Sequence, residues 1–229
     1  MGLFAKIRRD FTAVKTKDPA YPGGLKGALE ILLCYPGFHA LLAHRLLHFL
    51  HSDLKIPVLP KFLGYFVRLL TGIEIHPGAR IGSGVLIDHG MGVVIGATAV
   101  IEDDVTLYHG VTLGAKGSET GGKRHPTVKR GAFIGSGAKI LGDVTVGAHS
   151  KVGAGSVVVR DVPPGTTVVG IPAKVVRSRN IVDEGATEVT AEIAREAVLA
   201  EKLRKLQEEL DTLRQQLAVT LESCEREAS

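Results

Sequence analysis

Two stretches of this 229-residue sequence carry side chains whose types and spacing could do chemistry: Asp88-His89-Gly90-Met91-Gly92, and Gly121-Gly122-Lys123-Arg124-His125-Pro126. Imidazole titrates near neutrality and can take a hydroxyl proton as that oxygen attacks a carbonyl, which makes His89 the candidate general base. Glu74, one corner earlier in the chain, could stack beside the ring and hold the useful tautomer, as a carboxylate does in a serine-protease triad. A structural histidine satisfied by a neighbouring carbonyl is an equally open reading. Arg124 offers a planar fork and His125 a second donor, a pair suited to a carboxylate; a mobile surface excursion is as open a reading for that loop. His44, His48 and His51 fall at helical spacing, but with no carboxylate or cysteine to complete a metal site they read as a polar helix face, and His39 reads the same way.

The elements that must position these groups follow from a six-residue period. Aliphatics recur at Ile75, Ile81 and Ile87, slip by two, resume at Ile95, Ile101, Leu107 and Leu113, break, and run on from Val128 to Val158 at the same interval. Such a period suits neither a helix nor a hairpin; each unit is one short strand plus a corner, stacked as a parallel β-helix. His89 falls in the slip and Arg124-His125 in the break, where the stack leaves side chains free for other work. Residues 1–71 read as a helical N-terminal cap, interrupted at Pro36-Gly37. Residues 72–178 read as the catalytic β-helix, ended by Pro163-Pro164 and Pro172. Residues 179–229 read as a linker and an amphipathic helix, where Leu199, Leu203, Leu206, Leu210, Leu213 and Leu217 form a seam for joining protomers or packing within one chain.

The net charge of +4 conceals a division, because residues 183–229 hold 12 acidic and six basic side chains. Lys116, Lys123, Arg124, Lys129 and Arg130 gather around the break without interleaved aromatics, so a phosphate-bearing small molecule is expected rather than nucleic acid; a solvated basic loop is the plainer alternative. Cys34 and Cys224 have neither disulfide nor metal-ligand spacing, which fits a reducing cytoplasm. No signal peptide is expected, and the apolar stretch from Gly27 to Leu50 is too interrupted by charge to read as a membrane span.

The succession Gly72-Ile-Glu-Ile-His-Pro-Gly, Ile87-Asp-His-Gly-Met-Gly-Val-Val-Ile-Gly, Gly110-Val-Thr-Leu-Gly, Lys123-Arg-His-Pro and Ile134-Gly-Ser-Gly-Ala-Lys-Ile-Leu-Gly resembles serine O-acetyltransferase, a hexapeptide-repeat enzyme of cysteine biosynthesis, from about Lys17 to Val176. The resemblance implies a left-handed β-helix, against the usual crossover rule, in homotrimers or multiples of them with sites between protomers. It implies acetyl transfer from acetyl-CoA to L-serine with no metal required, His89 as base and Glu74 as its carboxylate partner. Asp18 and Asp88 would hold the polar end of serine, and Arg124 with His125 its carboxylate. Coenzyme A contacts would map to Ala115, Ser136, Lys151 and Ala154. Three departures stand out: a short helical region before the solenoid, where larger members pair trimers into hexamers; His109 and Ala97 where others often carry Gln and Glu; and an ending in Glu-Arg-Glu-Ala-Ser. Many members end in an isoleucine that enters O-acetylserine sulfhydrylase, so that complex is not expected here.

Three alternatives remain open at the level of sequence. A hexapeptide acetyltransferase acting on a sugar or antibiotic hydroxyl would keep the base without needing paired Arg124 and His125. A γ-type carbonic anhydrase would use His89, His109 and His125 to bind zinc. A non-catalytic scaffold would use only the solenoid and tail.

Overall fold

The computed structural model describes residues 2–117 and 121–178, with Arg204 and Gln207 beyond them. The chain divides into two units, residues 1–181 and 182–229; in the second, Arg204 and Gln207 are helical. The leucine seam expected from Leu199 to Leu217 lies outside the described residues.

The first unit opens with helices α1 (Leu3–Lys17), α2 (Gly24–Cys34), α3 (Pro36–His48), a π-helical turn at Phe49–Asp53, and α4 (Leu59–Thr71). Strands then run three to a coil. The first coil is β1 (Glu74–Ile75), β2 (Arg80–Ile81) and β3 (Leu86–Asp88), and the second β4 (Val94–Ile95), β5 (Val100–Ile101) and β6 (Thr106–Tyr108). The third is β7 (Thr112–Gly114), β8 (Thr127–Val128) and β9 (Phe133–Ile134), with the long loop between β7 and β8. The fourth is β10 (Lys139–Leu141), β11 (Thr145–Val146) and β12 (Lys151–Val152), followed by β13 (Val157–Val158), β14 (Thr166–Gly170) and β15 (Ala173–Ser178). Three sheets form the faces: β1-β4-β7-β10-β13, then β2-β5-β8-β11, then β3-β6-β9-β12-β14-β15. Pairing is parallel except between β14 and β15.

The register explains the six-residue period. Ile75, Ile95, Leu113, Ile140 and Val158 stack in one column of the first face. Ile81, Ile101, Val128 and Val146 stack in the second, and Ile87, Leu107, Ile134, Val152 and Val168 in the third. All are buried, each contributing about 1.5–3 kcal/mol relative to exposure. Strands of two or three residues could not persist singly, and it is the columns that hold them.

The helices close the open end of the first coil. Gly37 lets α3 lie directly on β3, since a Cβ there would stand 2.0 Å from the Ile87 carbonyl oxygen. The buried Arg45–Asp10 pair, at 2.9 Å, fastens α1 and α3 to the same edge: Arg45 donates to the carbonyls of Ile81 and Gly82, and Asp10 accepts from the amides of Gly84 and Val85. His44 corrects the expectation of a polar helix face. It is only 3% exposed, and burial pushes its pKa down to about 3, because this face of α3 packs on the coil. His48 Nδ1 bonds the Pro77 carbonyl at 2.7 Å, His39 Nε2 the Leu32 carbonyl at 2.8 Å, and His51 meets the ring of His76 edge-on. Among the described residues no single helix is long and apolar enough to cross a membrane, although α2 and α3 with its π turn, bent by 62°, pass that test as a pair.

Candidate active site

The corner that carries the chain from the third face to the first is the slip seen in the sequence. His89 sits there in the left-handed region at φ 59°, a conformation uncommon for a residue with a Cβ. Asp104 and His149 adopt it at other corners, so it marks a tight corner and not by itself a catalytic strain. The corner is held by Gly90 N–H to the Asp88 carbonyl, Met91 N–H to the His89 carbonyl and Gly92 N–H to the Gly72 carbonyl. The His89 side chain is 74% exposed, with Nε2 4.0 Å from Asp88 Oδ1. The ring of His109, one coil on, lies edge-to-face against it at 5.8 Å.

Asp88 stands beside His89, and it and Asp18 are each attended by a tyrosine. Asp88 faces Tyr108 across the β3–β6 pair, and the Tyr108 hydroxyl is raised in pKa by burial and by the nearby Asp88 charge. Asp18, which ends α1, accepts the Tyr35 hydroxyl at 2.6 Å on one oxygen and the Ala20 amide at 2.8 Å on the other. Tyr35 is raised in pKa, first by that hydrogen bond. Tyr35 directly precedes α3, whose Gly37 lies against Ile87, the neighbour of Asp88, and each tyrosine's pKa is raised in part by the other's aspartate. Sequence reasoning missed both tyrosines. The 20-residue spacing of the first coils, Glu74 to Val94 and Asp88 to Tyr108, could have revealed Tyr108; nothing in the pattern marks Tyr35.

Glu74 departs from its expected place. Its carboxylate pairs with Arg68 Nη1 at 2.7 Å, because Gly72 in the left-handed conformation turns the chain straight from α4 into β1 and brings the last turn of α4 alongside. Within ion-pair distance of His89 the carboxylate is that of Asp88. Glu74 nevertheless follows directly on the residues that support the His89 corner, its own amide donating to the Val93 carbonyl.

Arg124 and His125 lie at a different corner, between the first face and the second. Thr98 organises them: its hydroxyl oxygen accepts the amides of Arg124 at 3.0 Å and His125 at 3.1 Å. His125 Nδ1 lies 3.2 Å from the Thr98 amide, which donates to it, and 2.8 Å from the Thr98 hydroxyl. With Nδ1 an acceptor, the neutral ring carries its proton on Nε2 and presents a donor there. Burial and the charges of Arg124 and Lys123 lower the His125 pKa, in keeping with the neutral form. Gly96 makes room for the ring, since a Cβ there would fall 1.9 Å from His125 Cδ2. Lys123 ties the loop down through the His125 carbonyl and Asp143. Beneath, His76 is pushed down to about 4 by burial and by Lys61, His51, His125 and Arg124.

One corner is thus anionic with an imidazole beside it, and another is cationic with a neutral imidazole donor. Ser136 and Ala154 stack above His89 along the first of these corners, through Gly110 N–H to the Met91 carbonyl, Gly137 N–H to His109 and Gly155 N–H to Ser136, each 2.8 Å. Lys151 is exposed on β12 of the third face, whereas Ala115 begins the loop that leads to Arg124. Cavities of about 510 and 390 Å³ lie elsewhere, one between α1, α3 and β2 and the other along the second face.

Residues 125–160 match the bacterial transferase hexapeptide family, described as six repeats. The chain is 52% identical to a serine acetyltransferase of Synechococcus elongatus over 174 residues, which is 76% of this chain and 69% of that one. It superposes with a TM-score of 0.72 on the serine acetyltransferase of Brucella abortus in complex with coenzyme A, at 42% identity over 77% of this chain and 68% of that one. Against the Neisseria gonorrhoeae serine acetyltransferase in complex with serine the TM-score is 0.69, at 43% identity over 75% and 68%.

Proposed function

The chain belongs to the serine acetyltransferase family, and from that premise we propose how its own residues carry the reaction and why one chain does not suffice. The protein transfers the acetyl group of acetyl-CoA to the hydroxyl of L-serine, giving O-acetylserine and CoA, in cysteine biosynthesis.

His89 accepts the serine hydroxyl proton as that oxygen attacks the thioester carbonyl. The tetrahedral intermediate collapses with cleavage of the C–S bond, and the imidazolium returns the proton to the departing thiolate. Asp88, within ion-pair distance, favours that imidazolium; Glu74, whose carboxylate pairs with Arg68, is the second carboxylate we assign to its support. Asp18 and Asp88 bind the serine ammonium. Arg124 and the Nε2–H of His125 bind its carboxylate. Coenzyme A runs along the corner above His89, past Ser136 and Ala154, with Lys151 beside it on the third face. These steps use no metal.

The observation that carries this reading is the separation of charge between corners. A zwitterionic amino acid needs anions at one end and cations at the other, yet Asp88 and His89 occupy the third-to-first corner, with Asp18 at the end of α1 bonded to Tyr35, and Arg124 with His125 the first-to-second. The site is therefore completed when the cationic corner of a second copy, with its Ala115, faces the His89 corner of the first, in a homotrimer or a multiple of it. Sparse cysteine usage fits a cytoplasmic setting.

Release of free thiol from acetyl-CoA, followed with and without L-serine, tests the reading. Thiol release that depends on serine is expected. Equal release with serine methyl ester, which lacks the carboxylate charge, would contradict the role given to Arg124 and His125, and serine-independent release would contradict the acceptor itself.

A further inference from the structure

We propose that Tyr35 and Tyr108 are positioning residues that hold Asp18 and Asp88 as a paired receptor for the acceptor's ammonium, and so set the preference for an α-amino hydroxy acid over a hydroxy acid without the amine. The inference rests on the site described above and adds the device that keeps its two carboxylates together.

Carboxylates brought into one cluster repel, and each prefers to take up a proton unless donors or a cation stabilise the anion. The basic side chain nearest in sequence does not serve, because Lys17 Nζ is turned onto the carbonyls of Gly84 at 2.9 Å and Asp104 at 2.7 Å. Neutral phenols serve instead. Tyr35 donates to Asp18 at 2.6 Å, and Tyr108 stands opposite Asp88 in the β3–β6 register, so that each carboxylate has a phenol to steady the anion without cancelling its charge and keeps lone pairs free for an ammonium. The two tyrosines are held independently. Tyr35 precedes α3, whose first turn is seated by the contact of Gly37 with Ile87, the residue before Asp88. Tyr108 is placed by the β3–β6 register and packs its ring 5.2 Å from that of Phe133. The clamp therefore joins an aspartate at the end of α1, a helix already tied to the solenoid through Lys17 and Asp10, to an aspartate on the solenoid itself.

The test compares L-serine with 3-hydroxypropionate, which keeps the hydroxyl and carboxylate and lacks the amine, in the full-length enzyme and in Tyr35→Phe, Tyr108→Phe and the double variant. Loss of a hydrogen bond to a charged group should raise KM for L-serine about tenfold in each single variant. The KM for acetyl-CoA should stay unchanged, and the ratio of kcat/KM for L-serine over that for 3-hydroxypropionate should fall by the same factor. A merely structural role would weaken both acceptors alike. Equal losses for both, or an unchanged serine KM in variants that melt with the parent, overturn the proposal while the active-site reading stands. Should Tyr35→Phe fail to fold, Tyr108→Phe, which leaves the helices untouched, decides alone. If the unmodified enzyme releases no thiol in response to serine, the reading of the site fails and the clamp with it.

Discussion

His89 projects from its corner with three-quarters of its side chain open, so its replacement disturbs little besides chemistry. His89→Ala should lower kcat by about 10²–10⁴-fold with an unchanged melting temperature; near-normal turnover in the folded variant would remove it from the mechanism. Arg124 provides a contrast of kind, since lysine keeps the charge and loses the fork. Arg124→Lys should raise KM for serine far more than for acetyl-CoA, as read from initial rates against each substrate. At this scale His89, Asp88 and the Arg124-His125 pair were legible, because irregular stretches in a regular stack expose themselves. The Glu74–Arg68 pair and the Tyr35–Asp18 bond were not. Both depend on where helices settle against the first coil, and that is decided by tertiary packing which no local spacing encodes.

Among the elements, α3 links stability to the site. It rests on β3 through Gly37, so Gly37→Ala must push the helix away from the Ile87 carbonyl or distort the strand. We expect a loss of about 1–3 kcal/mol, measured by denaturant unfolding, together with a raised serine KM, because Tyr35 moves with the helix. The same element predicts a pH dependence. His44 and His76 are lowered in the folded state, to about 3 and about 4, so between those values and the ordinary histidine pKa the unfolded chain binds more protons. Stability must therefore fall as pH drops below about 6.5, and His44→Phe should flatten part of that slope in melting curves taken across the range. An unaltered slope would mean His44 is not held neutral. The six-residue period made the solenoid legible because inward residues stack in register from coil to coil. The helices showed only as apolar stripes; the stripe of α3 did not reveal that His44 lies beneath it, nor did anything mark the π turn at Phe49–Asp53.

Across the whole molecule, charge of opposite sign sits on separate corners. The acidic segment beyond residue 182 holds none of the candidate site residues, the last of which is Ala154. Deleting residues 188–229 should accordingly leave most activity and a solenoid trimer by light scattering, and an inactive monomer would show that the tail is needed for assembly. On this reading each active site takes His89 from one copy and Arg124 from another, which mixing defective chains can show. His89→Ala and Arg124→Ala, each nearly inactive alone, should on co-expression or joint refolding regain about a quarter of parental activity, the share of interfaces at which both intact residues meet in a random closed ring. No recovery in mixed oligomers shown to contain both chains would place the base and the carboxylate grip in the same chain and contradict the account.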